Sequence, residues 1–91
     1  MRAAITVTTT PAEVVPADQE RDTLILANTS GSTIYYDVTG DGSSPLTTSN
    51  SIPLPANTVL FLTGNVAKQA IFALVASGTA SLVAQGIEAT N

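Results

Sequence analysis

The chain has 91 residues, the size of one small domain, and it contains neither cysteine nor histidine. Disulfide bonds, cysteine-ligated zinc and hydrolytic triads that need a histidine or cysteine are therefore excluded. Charged residues make up only 11% of the chain, with three basic side chains and a net charge of −4, so binding to a nucleic-acid backbone is not expected.

The N-terminal part of the sequence predicts one strand followed by an extended connector. Residues 3–9 (AAITVTT) alternate apolar and hydroxyl side chains, as in a half-buried strand. Pro11 and Pro16 lack the backbone donor that a central strand needs, so the chain between them is expected to run as an edge or connector. Residues 16–22 hold a cluster of charges without apolar periodicity, which predicts a solvated loop.

Two segments in the middle of the chain predict a β-hairpin. Residues 23–27 (TLILA) form a nearly continuous apolar run, which favours a strand buried on both faces. Residues 33–39 (TIYYDVT) alternate, and we expect Ile34 and Tyr36 on the core side with Tyr35 on the other. The Asn, Ser and Gly residues between the two runs supply the turn.

The next segment combines a polar loop, an edge segment and a strand. Residues 40–51 form a long loop of Gly, Ser, Thr, Asn and Pro, a type that is often functional or mobile. Residues 52–55 (IPLP) are expected at an edge, with Ile52 and Leu54 closing the end of the core. A turn at Asn57 and an apolar strand over residues 58–63 (TVLFLT) follow.

The C-terminal part predicts a second hairpin, over residues 69–85, with its turn at Ser77-Gly78. Alternation from that turn gives one fully apolar face, which we expect in the core: Ile71, Ala73, Val75, Ala80, Leu82 and Ala84. The other face carries Phe72, Leu74 and Val83 among polar residues. Because a solvated face should not hold these three together, either the opposing sheet of the same sandwich or another subunit must cover them. Since the other face already supplies the core, we predict that they lie at least partly at an oligomer or capsid interface, with Tyr35 as a further contact.

The whole pattern of six or seven short strands predicts an all-β fold, a small antiparallel β-sandwich or jelly-roll-like barrel. We expect residues 1–22 to form an N-terminal strand and extended arm, and residues 23–91 to form the sandwich. The tail after residue 85 has no pattern and is expected to be loosely held.

Catalytic, metal and cofactor sites are not expected. Asp37-x-Thr39-x-Asp41-Gly42 resembles the first half of a calcium loop, but Thr48 stands where the bidentate glutamate belongs, so a Gly-rich turn is the better interpretation. No spacing of the carboxylates suggests glycoside chemistry. The longest apolar run, residues 70–76, is far below the ~18 residues that span a membrane, so no membrane partner is expected.

The order of segments resembles small structural proteins of tailed bacteriophages, in particular capsid decoration or cement proteins. The resemblance covers residues 22–86 and is carried by an apolar strand ending in Asn-x-Ser, the Ile-Tyr-Tyr strand, a Gly/Ser loop, Ile-Pro-Leu-Pro-x-Asn and the Ile-Phe-Ala-Leu to Ser-Leu-Val segment. It implies a compact β-module, often a homotrimer, without catalytic residues. Its partner would be the major capsid protein, and its location the outer surface of a virion made in the bacterial cytoplasm.

A carbohydrate- or receptor-binding module of a phage head or tail fibre is the alternative. In that case Tyr35 or Tyr36 and the loop over residues 40–51 would form the binding surface.

Overall fold

Short alternating segments fold the described part of this chain into eight β-strands and one 3₁₀ helix. A computed structural model describes residues 2–38 and 46–88. The elements in chain order are β1 (Arg2–Val7), β2 (Ala12–Val15), β3 (Arg21–Asn28), β4 (Ile34–Asp37), β5 (Ile52–Leu54), β6 (Thr58–Thr63), the 3₁₀ helix (Gly64–Lys68), β7 (Ile71–Leu74) and β8 (Ala80–Glu88).

The strands form two antiparallel sheets of four. The first sheet has the order β1-β8-β3-β6 and the second the order β2-β7-β4-β5. Among strands that follow one another in the described chain, only β4 and β5 are hydrogen-bonded neighbours, and every other connection crosses between the sheets. The pairs β1–β8, β2–β7, β3–β6 and β4–β5 describe one long hairpin rolled into a sandwich. This is the arrangement of a jelly roll, and it confirms the predicted all-β fold with eight strands rather than six or seven.

The core lies between the inner faces of the two sheets. Alternation along β3 buries Leu24 and Leu26, and alternation along β4 buries Ile34 and Tyr36, as predicted. The predicted apolar face of the C-terminal segment is also confirmed, because all of its members are buried: Ile71, Ala73, Val75, Ala80, Leu82 and Ala84.

The prediction of two hairpins is wrong. Strands β7 and β8 belong to different sheets, as do β3 and β4, so each short link crosses the core instead of turning back within one sheet. A crossing link and a hairpin send the same alternate residues inward, so the apolar pattern cannot distinguish them. The strand pairing shows that these links cross between the sheets, because β8 is hydrogen-bonded to β1 and β3, whereas β7 is hydrogen-bonded to β2 and β4.

The N-terminal segment also differs from the prediction of an extended arm over residues 1–22. Strand β1 pairs with β8 over its whole length, from Arg2 opposite Gln85 to Val7 opposite Ala80. Strand β2 pairs with β7, and Val15 is fully buried. Residues 2–15 therefore supply one strand to each sheet, through partners 56 to 83 residues away along the chain, which no local pattern reveals.

Smaller differences concern single elements. Strand β3 is buried on one face only, since Ile25 and Ala27 are half-buried on the outer side. Leu54 enters the core as expected, but Ile52 is 49% exposed. Strand β8 continues to Glu88, beyond the point where a loose tail was expected. The turn at Asn57 is confirmed by its positive φ of 56°.

Candidate interaction surfaces

The predicted interface residues fall on two different surfaces. Phe72, Leu74 and Tyr35 lie on the outer face of the second sheet, whereas Val83 lies on the outer face of the first sheet. The prediction that Phe72, Leu74 and Val83 share one face is therefore wrong, because it depended on pairing β7 with β8.

The outer face of the second sheet is less apolar than the sequence suggested. Phe72 is half-buried and stands between two carboxylates, with Glu13 opposite it on β2 and Asp37 opposite it on β4. Leu74 is buried, at 6% exposure, although it does not belong to the main core cluster. Tyr35, opposite Leu74, is half-buried. This face therefore offers a mixed surface with acidic neighbours.

The outer face of the first sheet carries the larger apolar surface. One row crosses all four strands, with Ala4, Val83, Ala27 and Val59 opposite one another in turn. In the adjacent row Phe61 lies opposite Ile25. Phe61 is 65% exposed and Val59 is 54% exposed, and both belong to the edge strand β6. The strongest apolar exposure of the described residues is thus at this edge.

At one end of the sandwich the described loops contain no ionisable side chain. Four loops meet there, over residues 8–11, 29–33, 55–57 and 75–79, and apart from the buried Val75 they consist of hydroxyl, small and amide residues with two prolines. We call this the neutral end. The Val75 amide donates to the Thr8 carbonyl at 3.0 Å, which joins two of these loops, and the Thr29 amide donates to the Ser81 carbonyl of β8 at 3.2 Å.

The buried side chain of Asn28 connects two loops of the neutral end. Its side chain is 1% exposed, and its Nδ2 donates to the carbonyls of Ser32 at 2.7 Å, Leu54 at 3.0 Å and Pro55 at 3.2 Å. Its Oδ1 accepts from the amide and the hydroxyl of Ser30 at 3.0 and 2.7 Å. One amide side chain therefore fixes the β3–β4 loop against the β5–β6 loop.

Arg21 has the same role at the opposite end, which carries most of the charges. The guanidinium is 2% exposed and donates to the carbonyls of Ala67, Pro16 and Gln69, while Lys68 Nζ donates to the Arg21 carbonyl at 2.8 Å. Buried guanidinium groups are rare and need this kind of pairing. The β2–β3 loop is thereby fastened to the 3₁₀ helix.

Sequence reasoning missed both anchors. The sequence pattern places Arg21 in a solvated charge cluster and Asn28 in a turn. The signal that marks them is their position, because they are the first and last residues of β3 and flank its apolar run over residues 23–27.

Little of the predicted chemistry can be placed on these surfaces. Tyr36 is 7% exposed in the core, so it cannot contact a sugar, and only Tyr35 remains outside. The first half of the polar loop, residues 40–45, lies outside the described residues, and so does Thr39; Asp41 and Gly42 of the calcium-like motif are among them. Within residues 2–38 and 46–88 no three acidic side chains come together as a metal site. No helix in that part of the chain is long and apolar enough to cross a membrane.

Burial raises the pKa of Tyr36 above its ordinary value of 10.0. The folded state thus disfavours the phenolate, and this contribution to stability is fully present below the unfolded pKa and is lost as pH rises through the folded pKa. We expect Tyr36→Phe to lessen the fall in the urea midpoint between about pH 8 and pH 11 relative to the wild type. Equal falls in the variant and the wild type would contradict the assignment.

Comparisons with protein-family models, curated proteins and solved structures find no match to this chain.

Proposed function

We propose that this chain is a non-enzymatic structural protein of a tailed bacteriophage, a decoration protein that binds the outside of the capsid and bridges its subunits. The observation that carries the proposal is the neutral end. Cores of protein interfaces are depleted in charged residues, because a charge that leaves water must be paired. Four loops without an ionisable group, two of them fixed to each other by Asn28, form a surface that can be dehydrated against a shell without burying an unpaired charge.

The fold and the composition support the same role. The jelly roll is used by viral capsid domains, as well as by lectins and cupins. A cupin metal centre relies on histidine, which this chain does not contain. A loop end held on a rigid sandwich is a common way to present a binding surface.

Binding to undecorated heads of the virus that encodes the chain tests the proposal. We expect the protein to co-sediment with heads and to saturate at a fixed ratio. Ser77→Glu places one negative charge at the exposed tip of the neutral end and should weaken binding by about tenfold or more, since that charge must be desolvated on docking. Gln19→Glu adds the same charge at the exposed β2–β3 loop of the other end and should bind as the wild type does.

Two outcomes would count against this role. Heads that fail to bind the wild-type protein would exclude decoration. Equal binding by Ser77→Glu and the wild type would show that the neutral end is not the contact. A glycan array tests the carbohydrate alternative, in which a sugar should bind and Tyr35→Ala should abolish that binding.

A further inference from the structure

The four edge strands of the sandwich are protected to very different degrees. An unprotected edge presents free backbone donors and acceptors and tends to pair with another strand. β1 carries Arg2, β5 has only three residues with Pro53 among them, and β2 carries Glu13 and an irregular register next to it. Charges, prolines, bulges and short length are the usual protections of an edge.

Strand β6 has none of these protections. It is six residues long, pairs with β3 without a break in register, and contains neither a charge nor a proline. Its two outward-facing apolar residues, Val59 and Phe61, are also the most exposed large apolar side chains of the described chain. An edge of this kind is a site for strand addition, in which backbone hydrogen bonds provide affinity and side chains provide specificity.

The sequence of β6 fits a second copy of itself. Thr-Val-Leu-Phe-Leu-Thr contains no charge and has four consecutive apolar residues, so antiparallel pairing of two copies about a two-fold axis brings no charges together. Directly opposite residues of an antiparallel pair share a face, so the two cores stay on one side of the joined sheet only when outward-facing residues lie opposite outward-facing residues. The registers of this kind with the longest overlap place Val59 opposite Phe61 of the second copy, or Phe61 opposite itself.

We propose that two copies of this chain pair through β6, antiparallel and edge to edge, to form a continuous eight-stranded sheet from their two first sheets. The pairing joins the exposed apolar rows of the two outer faces into one surface. It does not depend on the proposed role in decoration, because it requires no shell and uses a side of the molecule other than the neutral end. It also differs from the trimer that the resemblance implies, since a strand cannot pair with itself around a three-fold axis.

Size-exclusion chromatography with light scattering on the 91-residue chain tests the proposal. At about 100 µM we expect twice the monomer mass of 9.3 kDa. Phe61→Lys should give a folded monomer, because it places a charge at the centre of the joined edge. Thr6→Lys, on the outer face of the opposite edge strand β1, adds the same charge and should remain dimeric. A monomeric or trimeric wild type, or a dimeric Phe61→Lys, would overturn the proposal.

Cysteine crosslinking provides a readout that does not rely on Phe61→Lys being folded. Since the chain has no cysteine, single substitutions report cleanly. Under mild oxidation we expect crosslinked dimer either from Phe61→Cys alone or from Phe61→Cys mixed with Val59→Cys, because directly opposite residues lie within disulfide reach. Yields no higher than that of Thr6→Cys in both cases would rule out the β6 pairing.

Discussion

Arg21→Met is expected to lower the free energy of unfolding by about 3–5 kcal/mol, because the guanidinium donor is lost from a buried bond to the Ala67 carbonyl and from part-buried bonds to the Pro16 and Gln69 carbonyls. A domain of this size is expected to have roughly 5–14 kcal/mol in total. Methionine keeps the unbranched apolar stem, so the loss reports mainly on the hydrogen bonds and the charge. Urea denaturation followed by circular dichroism measures it.

Arg2→Met is the matched control for this substitution. Arg2 is exposed at the start of β1, and removing it should change stability by less than about 0.5 kcal/mol. Replacing a buried charge with a hydrophobic residue is sometimes neutral in proteins, when its partners are replaced as well. Here the carbonyls remain, so equal urea midpoints for Arg21→Met and Arg2→Met would show that the guanidinium does not anchor the charged end.

Asn28→Asp is expected to be about as destabilising, at roughly 3–5 kcal/mol near pH 7. The change keeps the shape of the side chain but replaces the amide donor with a carboxylate oxygen, which then faces the carbonyls of Ser32, Leu54 and Pro55. The exposed Asn65→Asp in the 3₁₀ helix introduces the same charge without such contacts and should have little effect.

The effect of Asn28→Asp should depend on pH in one direction. Desolvation and the facing carbonyls would raise the pKa of the new carboxyl above the ~3.9 of the unfolded chain. The stability of the Asn28→Asp variant is then highest below the pKa of this carboxyl in the unfolded chain, and it falls as pH rises through the pKa in the folded chain. Relative to the wild type at each pH, the variant should therefore be less impaired near pH 4 than near pH 7. A deficit independent of pH would contradict this reasoning.

The sequence predicts which residues face inward far better than it predicts which strands pair. Ile71 and Leu82 were assigned to the core from alternation alone, and both are buried. Their strands were wrongly paired, because a short link containing Gly78 serves a hairpin and a crossing between sheets equally well. Strand β1 shows the same limit, since its partner β8 lies at the other end of the chain.

The candidate surfaces were predicted less well than the core. Phe72 was expected at an interface, but its acidic neighbours come from strands distant in sequence. Phe61 lies in a run that is apolar on both faces, so alternation gave no sign that its side faces solvent. No local sequence pattern indicates the neutral end either, because its four loops converge only when the two sheets are formed.

Thermal disruption of undecorated heads, with and without the purified protein, is the most direct test of the proposed decoration role. At saturating protein the disruption temperature of the heads should rise, and it should rise equally with Gln19→Glu but not with Ser77→Glu. An unchanged disruption temperature with the wild-type protein at saturation would contradict the account.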